Sequence, residues 1–244
     1  MLLNENEQID DLQCKGLKLI QRAGGFRFGI DAVLLANFAK TAKASKIVDL
    51  GTGTGIIPVL LAGKTKAEHI TGIEILPEIA EMAKRSVALN KLEKRVEILN
   101  MDLKDSAGFL GFEYADMVVS NPPYVNAGCG LLNDSGDRSV ARHEIMCTLD
   151  DVVMAASNLL KNKGQFNIIH RPERLVDVIC AMRKHNIEPK QMQLIYPGEG
   201  KSPNLVLIRG FKAGNPQIKV LEPLYIYNRD GSYSEKYLHM VGDI

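Results

Sequence analysis

A predicted strand, a glycine-rich turn and a predicted helix follow one another directly, and this unit constrains the fold most. KIVDL (46–50) is a short apolar run typical of a buried strand, and IIPVLLA (56–62) is typical of a buried helix. Between them, DLGTGTG places glycines where the backbone can bend sharply and a ligand can approach without meeting a Cβ atom. Ligands of α/β sheets bind at the carboxyl ends of the strands, so the turn predicts a nucleotide-type site.

The alternation of strands and helices continues along the chain. Further strands are predicted at 68–75, 95–99, 115–120 and 164–170, and helices at 77–90, 149–161 and 172–185. Two apolar runs, 192–196 and 204–211, are separated by PGEGKSP with no helix between them, which predicts an antiparallel hairpin. We therefore expect an α/β fold with a mostly parallel sheet, helices on both of its faces and a C-terminal antiparallel hairpin.

The composition argues against several classes of protein. The 244 residues are 45% hydrophobic and 24% charged, which is typical of a globular protein. No run of about 18 apolar residues predicts a membrane span, and the polar, acidic start MLLNENEQIDDLQ predicts no secretory signal. The four cysteines lack the spacing of metal ligands, so we expect neither a metal site nor a disulfide framework, and we expect a cytoplasmic protein.

The glycine turn departs from the two common phosphate-binding patterns. The dinucleotide fingerprint G-x-G-x-x-G would need glycine at Ile56, and the G-K-[ST] of a P-loop is missing. Acids lie at the ends of three successive predicted strands: Asp49, Glu74 and Asp102. Glu74 can accept hydrogen bonds from two ribose hydroxyls, and Asp102 can accept one from an adenine amino group. Each acid alone is equally consistent with a helix cap or a surface position, but the three together favour an adenosine-containing cofactor.

A second motif, SNPPY (120–124), follows another predicted strand. An exocyclic amino group is a poor nucleophile because its lone pair is delocalised into the ring, and acceptors for its N–H bonds favour a tetrahedral nitrogen. The Asn121 side-chain oxygen and the Pro122 carbonyl are suitable acceptors, and Pro123 adds stiffness. Tyr124 can stack on a planar substrate. A simple X-Pro-Pro turn after a strand is the alternative interpretation.

Together these motifs resemble the class I S-adenosylmethionine-dependent methyltransferases. The resemblance implies a Rossmann-like fold with a seven-stranded sheet, S-adenosylmethionine as the cofactor and no metal. It implies that Asp49 lies near the methionine portion, that Glu74 holds the ribose and that Asp102 holds the adenine. The predicted cofactor-binding residues are Phe28, Gly29, Asp31, Asp49, Gly51, Gly53, Gly55, Glu74, Asp102 and Asn121, and the predicted catalytic residues are Asn121, Pro122, Pro123 and Tyr124.

The N-P-P-Y motif determines the chemistry better than the substrate, because it occurs in methyltransferases of adenine, of guanine and of a protein glutamine amide. Three stretches, GGFRFGIDAVLLANFA, ARHEIMCTLDDVV and HRPERLVDVICAMRKHNIEPK, are similar to the bacterial enzymes that methylate an adenine amino group beside the anticodon of valine tRNA, with a closer likeness to the Gram-positive branch. The similarity spans roughly residues 16–212. It implies adenine methylation in tRNA; a glutamine amide, a guanine, or cofactor binding without catalysis are the alternatives.

The charge distribution is uneven along the chain. Residues 138–220 contain 13 Lys and Arg against 7 Asp and Glu, a balance that fits either an RNA partner or a solvated surface. Our candidates for phosphate contacts are Arg138, Arg142, Arg171, Arg174, Arg183 and Lys184. For Arg142, a local hydrogen-bond network is the alternative. We expect an N-terminal segment (1–45) against the cofactor site, a methyltransferase domain (46–213) and a C-terminal extension (214–244) with a turn at 228–231.

Overall fold

The computed structural model describes residues 3–22, 29–39, 44–123 and 147–241. The strands are β1 (Glu7–Asp11), β2 (Lys18–Arg22), β3 (Lys46–Leu50), β4 (His69–Glu74), β5 (Val96–Asn100), β6 (Ala115–Ser120), β7 (Leu160–His170), β8 (Ile187–Gly198), β9 (Leu205–Lys212), β10 (Lys219–Val220) and β11 (Leu224–Tyr227). The helices are α1 (Ile30–Ala39), α2 (Ile56–Lys64), α3 (Pro77–Leu89), α4 (Ser106–Leu110), α5 (Leu149–Leu159), α6 (Leu175–Lys184) and α7 (Glu235–Val241). Four predicted site residues, Phe28, Tyr124, Arg138 and Arg142, lie outside the described residues.

One large sheet forms the centre of the part of the chain that the model describes. Its order is β10–β8–β9–β7–β6–β3–β4–β5, and β11 also pairs with β8, which makes nine strands among the described residues. The β9 strand runs antiparallel to β7 and β8, and the other pairings are parallel. The α/β class and the antiparallel hairpin are confirmed. The seven expected strands correspond to β3 to β9. The sheet has two more among the described residues, because β10 and β11 both pair with the outer side of β8.

Alternating residues of the strands build a core on each face of the sheet. In β3, Ile47 packs with residues of α1 and α2, whereas Val48 and Leu50 pack with residues of α5 and α6. The period of two in a strand explains this division, because successive side chains point to opposite faces. The helices therefore cover both faces, as the sequence predicts, and the strand ends stay available for a site.

The N-terminal hairpin β1–β2 forms a separate two-stranded sheet that packs along α3. The amide of Lys18 donates to the Asn90 side-chain oxygen at 2.8 Å, and the Asn90 side-chain nitrogen donates back to the Lys18 carbonyl at 2.7 Å. A partly buried ion pair joins Glu7 to Arg85 at 2.5 Å. These contacts fix the hairpin to the helix that follows β4.

The C-terminal residues continue the same architecture. Tyr237 of α7 packs with Leu224 and Ile226 of β11 in the core on the α1 side of the sheet. The predicted turn at 228–231 is confirmed, since the Gly231 amide donates to the Asn228 carbonyl at 3.1 Å and Gly231 has a φ of 83°. The extension thus shares the sheet and the core of the residues before it.

Candidate active site

The sheet changes direction between β3 and β6. From β3 the chain moves outward to β4 and β5, then returns to place β6 on the other side of β3. Leu50, the last residue of β3, pairs with Ser120, the last residue of β6, and the Ser120 hydroxyl donates to the Leu50 carbonyl at 2.9 Å. Such a switch point at the carboxyl ends is where open α/β sheets bind ligands. The model therefore brings the glycine turn and the start of the Asn121–Pro123 segment to one place.

Backbone hydrogen bonds hold the glycine turn against the end of β4. The amides of Gly51 and Thr52 both donate to the Ile73 carbonyl, at 3.0 and 2.9 Å. Gly51 has a φ of 74° and Gly53 a φ of 56°, values that disfavour residues with a Cβ. A Cβ added at either position would meet no atom within 4 Å. The outer side of the turn thus faces open space that a ligand can enter.

Gly55 has a different role from the two glycines before it. It is buried, has a φ of 84° and precedes the first residue of α2. A Cβ at Gly55 would lie 3.2 Å from the Cβ of Ala83 in α3. This glycine therefore allows the close approach of α2 and α3 beside the turn, rather than an approach by ligand.

Glu74 is buried at the end of β4 and accepts hydrogen bonds from the turn. One carboxylate oxygen accepts from the Gly53 amide at 2.9 Å, and the other accepts from the Leu76 amide at 2.9 Å. A carboxylate oxygen can accept more than one hydrogen bond, so these two bonds do not by themselves exclude a ligand hydroxyl. The predicted ribose contact remains a prediction, but the fixed orientation of Glu74 fits it.

Asp49 is fully buried on β3, and neither of its carboxyl oxygens has a hydrogen-bond partner among the described residues. The pKa of this carboxyl is raised to about 7, chiefly by burial and to a smaller extent by the charge of Glu74. Contact with the Thr52 hydroxyl offsets part of this rise in the pKa, although the geometry falls short of a hydrogen bond. A buried carboxyl without a partner is costly. Next to the open side of the turn, it fits a ligand that carries a donor or a positive charge.

Asp102 follows β5 and is partly engaged by its own loop. One oxygen accepts from the Lys104 amide at 2.9 Å, and the other lies 3.2 Å from the Lys104 ammonium. Its side chain is 27% exposed, so it also faces solvent. The helix-cap alternative therefore describes one role of Asp102, and its predicted contact with adenine remains a prediction.

The first turn of α1 places Gly29 and Asp31 together. Asp31 is buried and accepts a hydrogen bond from the Ala32 amide at 2.9 Å. A Cβ at Gly29 would lie 2.3 Å from an Asp31 carboxyl oxygen, so a side chain there would require the Asp31 carboxyl to move. Because α1 leads toward the start of β3, its first turn lies toward the carboxyl edge of the sheet, as the predicted cofactor contact needs.

The N-P-P-Y segment begins at the residue after β6. Asn121 is half-buried, Pro122 is buried and Pro123 is exposed. None of these three residues lies in a helix or strand, so the hydrogen-bonded pairing of β6 ends before the prolines. The model positions Asn121 and Pro122 at the switch point, and their catalytic role remains a prediction.

The basic candidates separate into two groups. Arg171 and Arg174 follow the carboxyl end of β7, on the same edge of the sheet as the glycine turn. Arg183 and Lys184 end α6, which leads into the amino end of β8, and they pair with Glu188 at 3.2 Å and Asp150 at 3.0 Å. The model thus places Arg171 and Arg174 near the predicted site and does not bring Arg183 and Lys184 to it.

His170 is a residue at this edge to which the sequence analysis assigns no role. It ends β7, and Ser120 pairs with Ile168, so His170 lies level with the start of the N-P-P-Y segment. Burial, and next the charge of Arg174, lower the pKa of its imidazole to about 4. The Arg171 amide donates to Nδ1 at 2.8 Å, so the neutral ring carries its proton on Nε2. Its signal in the sequence is a polar residue at the end of an apolar strand.

In the ranges that the model describes, no three His, Cys, Asp or Glu side chains gather in a way that could hold a metal ion. No helix in those ranges combines the length and the apolar character of a membrane span.

Comparison with known families identifies the chain. The model of the methyltransferase small domain family matches residues 29–185, which is more than half of the sequence. The chain belongs to the methyltransferase small domain family. The matched range of this methyltransferase contains α1, the glycine turn, Glu74, Asp102 and the N-P-P-Y segment.

Curated relatives extend the similarity over most of this methyltransferase. A protein of Porphyromonas gingivalis named tRNA1(Val) (adenine(37)-N6)-methyltransferase is 28% identical over 239 residues, covering 95% of this chain and 93% of the relative. A protein of the same name from Phocaeicola vulgatus is 29% identical over 212 residues, covering 87% of each chain.

Solved structures support the fold of this methyltransferase. The crystal structure of a predicted O-methyltransferase from Agrobacterium tumefaciens is 26% identical with a TM-score of 0.70, covering 86% of this chain and 95% of that one. The geranyl diphosphate C-methyltransferase from Streptomyces coelicolor, in complex with S-adenosyl-L-homocysteine among its ligands, has a TM-score of 0.56 at 14% identity, covering 75% of this chain and 77% of that one. At that identity the likeness concerns the fold alone.

Proposed function

We propose that this methyltransferase uses S-adenosylmethionine to methylate the exocyclic amino group of an adenine in tRNA, next to the anticodon of valine tRNA. The observation that carries the proposal is the pairing of Leu50 with Ser120, because it sets the glycine turn beside Asn121. The names of the curated relatives, which match over most of the chain, support the choice of substrate.

The cofactor side of the proposed site consists of Asp49, Glu74, Asp102 and the open turn at Gly51 and Gly53. When bound, S-adenosylmethionine supplies an electrophilic methyl group on a sulfonium centre. The unpartnered Asp49 carboxyl would accept from its ammonium group, Glu74 would accept from ribose hydroxyls and Asp102 from the adenine amino group. These roles fit the orphaned oxygens of Asp49 and the space above the turn.

The acceptor side of the proposed site is the N-P-P-Y segment. The Asn121 side-chain oxygen and the Pro122 carbonyl would accept hydrogen bonds from the target amino group and orient its lone pair. We retain Tyr124 as the residue that stacks on the target base, which must be turned out of its loop to reach it. The methylated amino group loses its proton readily, so this scheme requires no strong general base.

The tRNA would contact the carboxyl edge of the sheet. Arg171 and Arg174 follow β7 there, so we place phosphate contacts at these two residues first. Arg138 and Arg142 stay candidates on the sequence alone. A tRNA substrate fits a cytoplasmic enzyme. The likeness to the Gram-positive branch of the family stays a prediction.

The decisive experiment offers the purified protein and labelled S-adenosylmethionine to total tRNA from a strain that lacks the enzyme. We expect incorporation of label, and mass spectrometry of the nucleosides should identify N6-methyladenosine in valine tRNA. A methylated guanine would support the guanine alternative. In a parallel assay with total cell protein in place of tRNA, label on a glutamine side chain would support the glutamine alternative. Binding of the cofactor without transfer of the methyl group to any of these substrates would support the remaining alternative, a cofactor-binding protein without catalysis.

A further inference from the structure

The β8–β9 hairpin rises beyond the edge that carries the proposed site. His170, the last residue of β7, pairs with Val206 of β9, which pairs with Leu194 of β8. The β8 strand continues from there to Gly198, a length of about 13 Å at about 3.3 Å per residue. The hairpin thus forms a wall on one side of the carboxyl edge.

The C-terminal extension supports this wall with aromatic side chains. Tyr225 of β11 pairs with Tyr196 of β8, and their ring centroids are 5.1 Å apart. Tyr227 pairs with Gly198 at the tip of β8 and bridges to Tyr233 across the turn at 228–231. The extension is therefore attached to the projecting part of the hairpin.

Three tyrosine rings form a column at this tip. Tyr233 is the middle ring, with its centroid 5.1 Å from that of Tyr227 and 5.0 Å from that of Tyr237. Tyr237 is buried in the core, whereas Tyr227 is 40% exposed and Tyr233 47% exposed. The column thus begins in the core and ends at Tyr227, where a further planar group would continue the stack.

Tyr227 lines a cavity of about 490 Å³. The lining of this cavity also contains two cations, Arg229 and Lys236. Both are exposed, and each forms an ion pair with a glutamate, at 2.7 and 2.6 Å. Glu235 contributes a carboxylate that has no hydrogen-bond or ion-pair partner among the described residues. The cavity thus offers an aromatic surface, exchangeable cations for phosphate and a carboxylate acceptor for base amino groups.

The position of the cavity suits a large substrate of the same enzyme. Four strand spacings of about 4.8 Å and five residues of about 3.3 Å separate Tyr227 from Asn121, a distance on the order of 25 Å. Both points lie at the carboxyl edge. A tRNA can contact both at once, whereas a free nucleotide cannot.

We propose that the Tyr227–Tyr233–Tyr237 column and its cavity bind an unpaired nucleotide of the tRNA, distant from the methylated adenine, by stacking its base on Tyr227. This inference rests on the proposed function for its substrate. Stacking on aromatic side chains is a common way to hold an unpaired RNA base, and it supplies affinity without requiring a particular base.

The test measures binding of total bacterial tRNA without the methyl donor, so that it does not depend on catalysis. Tyr227→Ala should weaken tRNA binding by about 5- to 100-fold, the range expected for loss of one stacked base. Tyr227→Phe should stay within about twofold of the wild type, because the ring is kept. Phe112→Ala removes a ring that is 70% exposed, more than the 40% of Tyr227, from the opposite edge and serves as the control.

Three further measurements distinguish the possible failures. Thermal unfolding should show that Tyr227→Ala stays folded at the assay temperature, with at most the small loss expected for one stacked aromatic pair. Its donor affinity should match the wild type, and kcat at saturating tRNA should be unchanged while KM rises. If Tyr227→Ala binds tRNA as the wild type does, or if Phe112→Ala weakens binding equally, the inference is wrong even when the wild type methylates tRNA. If the wild type binds tRNA through Tyr227 but methylates no adenine, the proposed function is wrong instead.

Discussion

The two ends of the carboxyl edge are built in opposite ways. At the glycine turn, the key acids Asp49 and Glu74 are 0% and 1% exposed, and backbone amides orient the loop. At the tyrosine column, Tyr227 and Tyr233 are 40% and 47% exposed, and the ion pairs beside them lie in solvent. One end is a rigid recess and the other is an open surface.

This difference follows from the size of what each end would bind. A small cofactor can enter a recess and supply the partners that buried groups lack, as Asp49 requires. A tRNA as a whole is too large for such a recess. Apart from the turned-out target base, its contacts must be exposed, and it gains affinity from many weak stacking and phosphate contacts. Substitutions at the recess should therefore alter donor binding or transfer, and substitutions at the surface should alter tRNA binding alone.

The largest effect is expected at Asn121, which lies between the two ends. Asn121→Ala should lower kcat by about 100- to 1,000-fold, since a group that orients the reacting nitrogen is lost. Donor affinity, measured by calorimetry, should stay within a few fold. A parallel loss of donor affinity and kcat would instead assign Asn121 to cofactor binding.

Glu74→Gln tests the recess itself. The amide nitrogen of glutamine would face one of two backbone donors, the amide of Gly53 or that of Leu76. We expect donor affinity to fall by about 10- to 100-fold, the range for one hydrogen bond to a charged group. Affinity for tRNA without donor should not change; a loss there would mean that the two ends are not independent.

The pH dependence of donor binding tests Asp49. Because burial raises its pKa to about 7, the folded protein holds a proton there that the unfolded chain, with the ordinary value of 3.8, has released. The contribution of Asp49 to stability therefore falls as the pH rises from about 4 to about 7. Donor affinity should change in the opposite direction, because the proposed contact needs the ionised carboxyl. It should weaken by up to about tenfold for each pH unit below pH 7.

Asp49→Asn is the matched variant for this profile. It should remove the pH dependence of donor binding in calorimetric titrations between pH 5 and pH 8, a range that spans the pKa of about 7. It should also stabilise the cofactor-free protein at pH 8 by a few kcal/mol at most, because a buried charge is replaced by a neutral group of the same shape. A profile identical to that of the wild type would contradict the assigned role.

The smallest effects are expected among the arginines. Arg171→Ala and Arg174→Ala should each raise the KM for tRNA a few fold. Each should also reduce by about one the slope of the logarithm of the binding constant against the logarithm of the salt concentration. Arg183→Ala and Lys184→Ala are the controls, because these residues lie at the far end of α6 and pair with Glu188 and Asp150. Equal effects of both pairs would mean that the tRNA also covers the opposite edge.

Much of the fold was predictable because local signals agreed. The strand ending at Leu50, the turn and the helix beginning at Ile56 are as the sequence indicates. The errors occurred where pairing, rather than hydrophobicity, extends a strand: β7 begins at Leu160 instead of 164, and β8 at Ile187 instead of 192. These extensions are rich in polar residues, which gave no strand signal. In β8 they pair with β9, whereas in β7 they lie at a register shift between the pairs Ala115–Leu160 and Met117–Gln165.

The candidate site was predictable in its residue types but less so in its roles. Glu74 ends β4 beside the turn, as the motif indicates, yet its two bonds to backbone amides were not evident. Asp102 accepts a hydrogen bond from its own loop, which the motif did not indicate, and its contact with the ligand remains a prediction. His170 and Tyr227 were missed because they lie far along the chain from both motifs, and single polar or aromatic residues carry little local signal.

The sequence by itself determined the local units: an apolar strand, a bend that only glycine accommodates at positive φ, and a stiff segment with an amide and two prolines after another strand. Tertiary structure alone decided that β3 and β6 are neighbours, that Asp49 is buried without a partner and that the C-terminal tyrosines stand on the same edge as the N-P-P-Y segment. The reason is that strand order and burial depend on contacts between residues far apart in the chain, which local periodicity does not record.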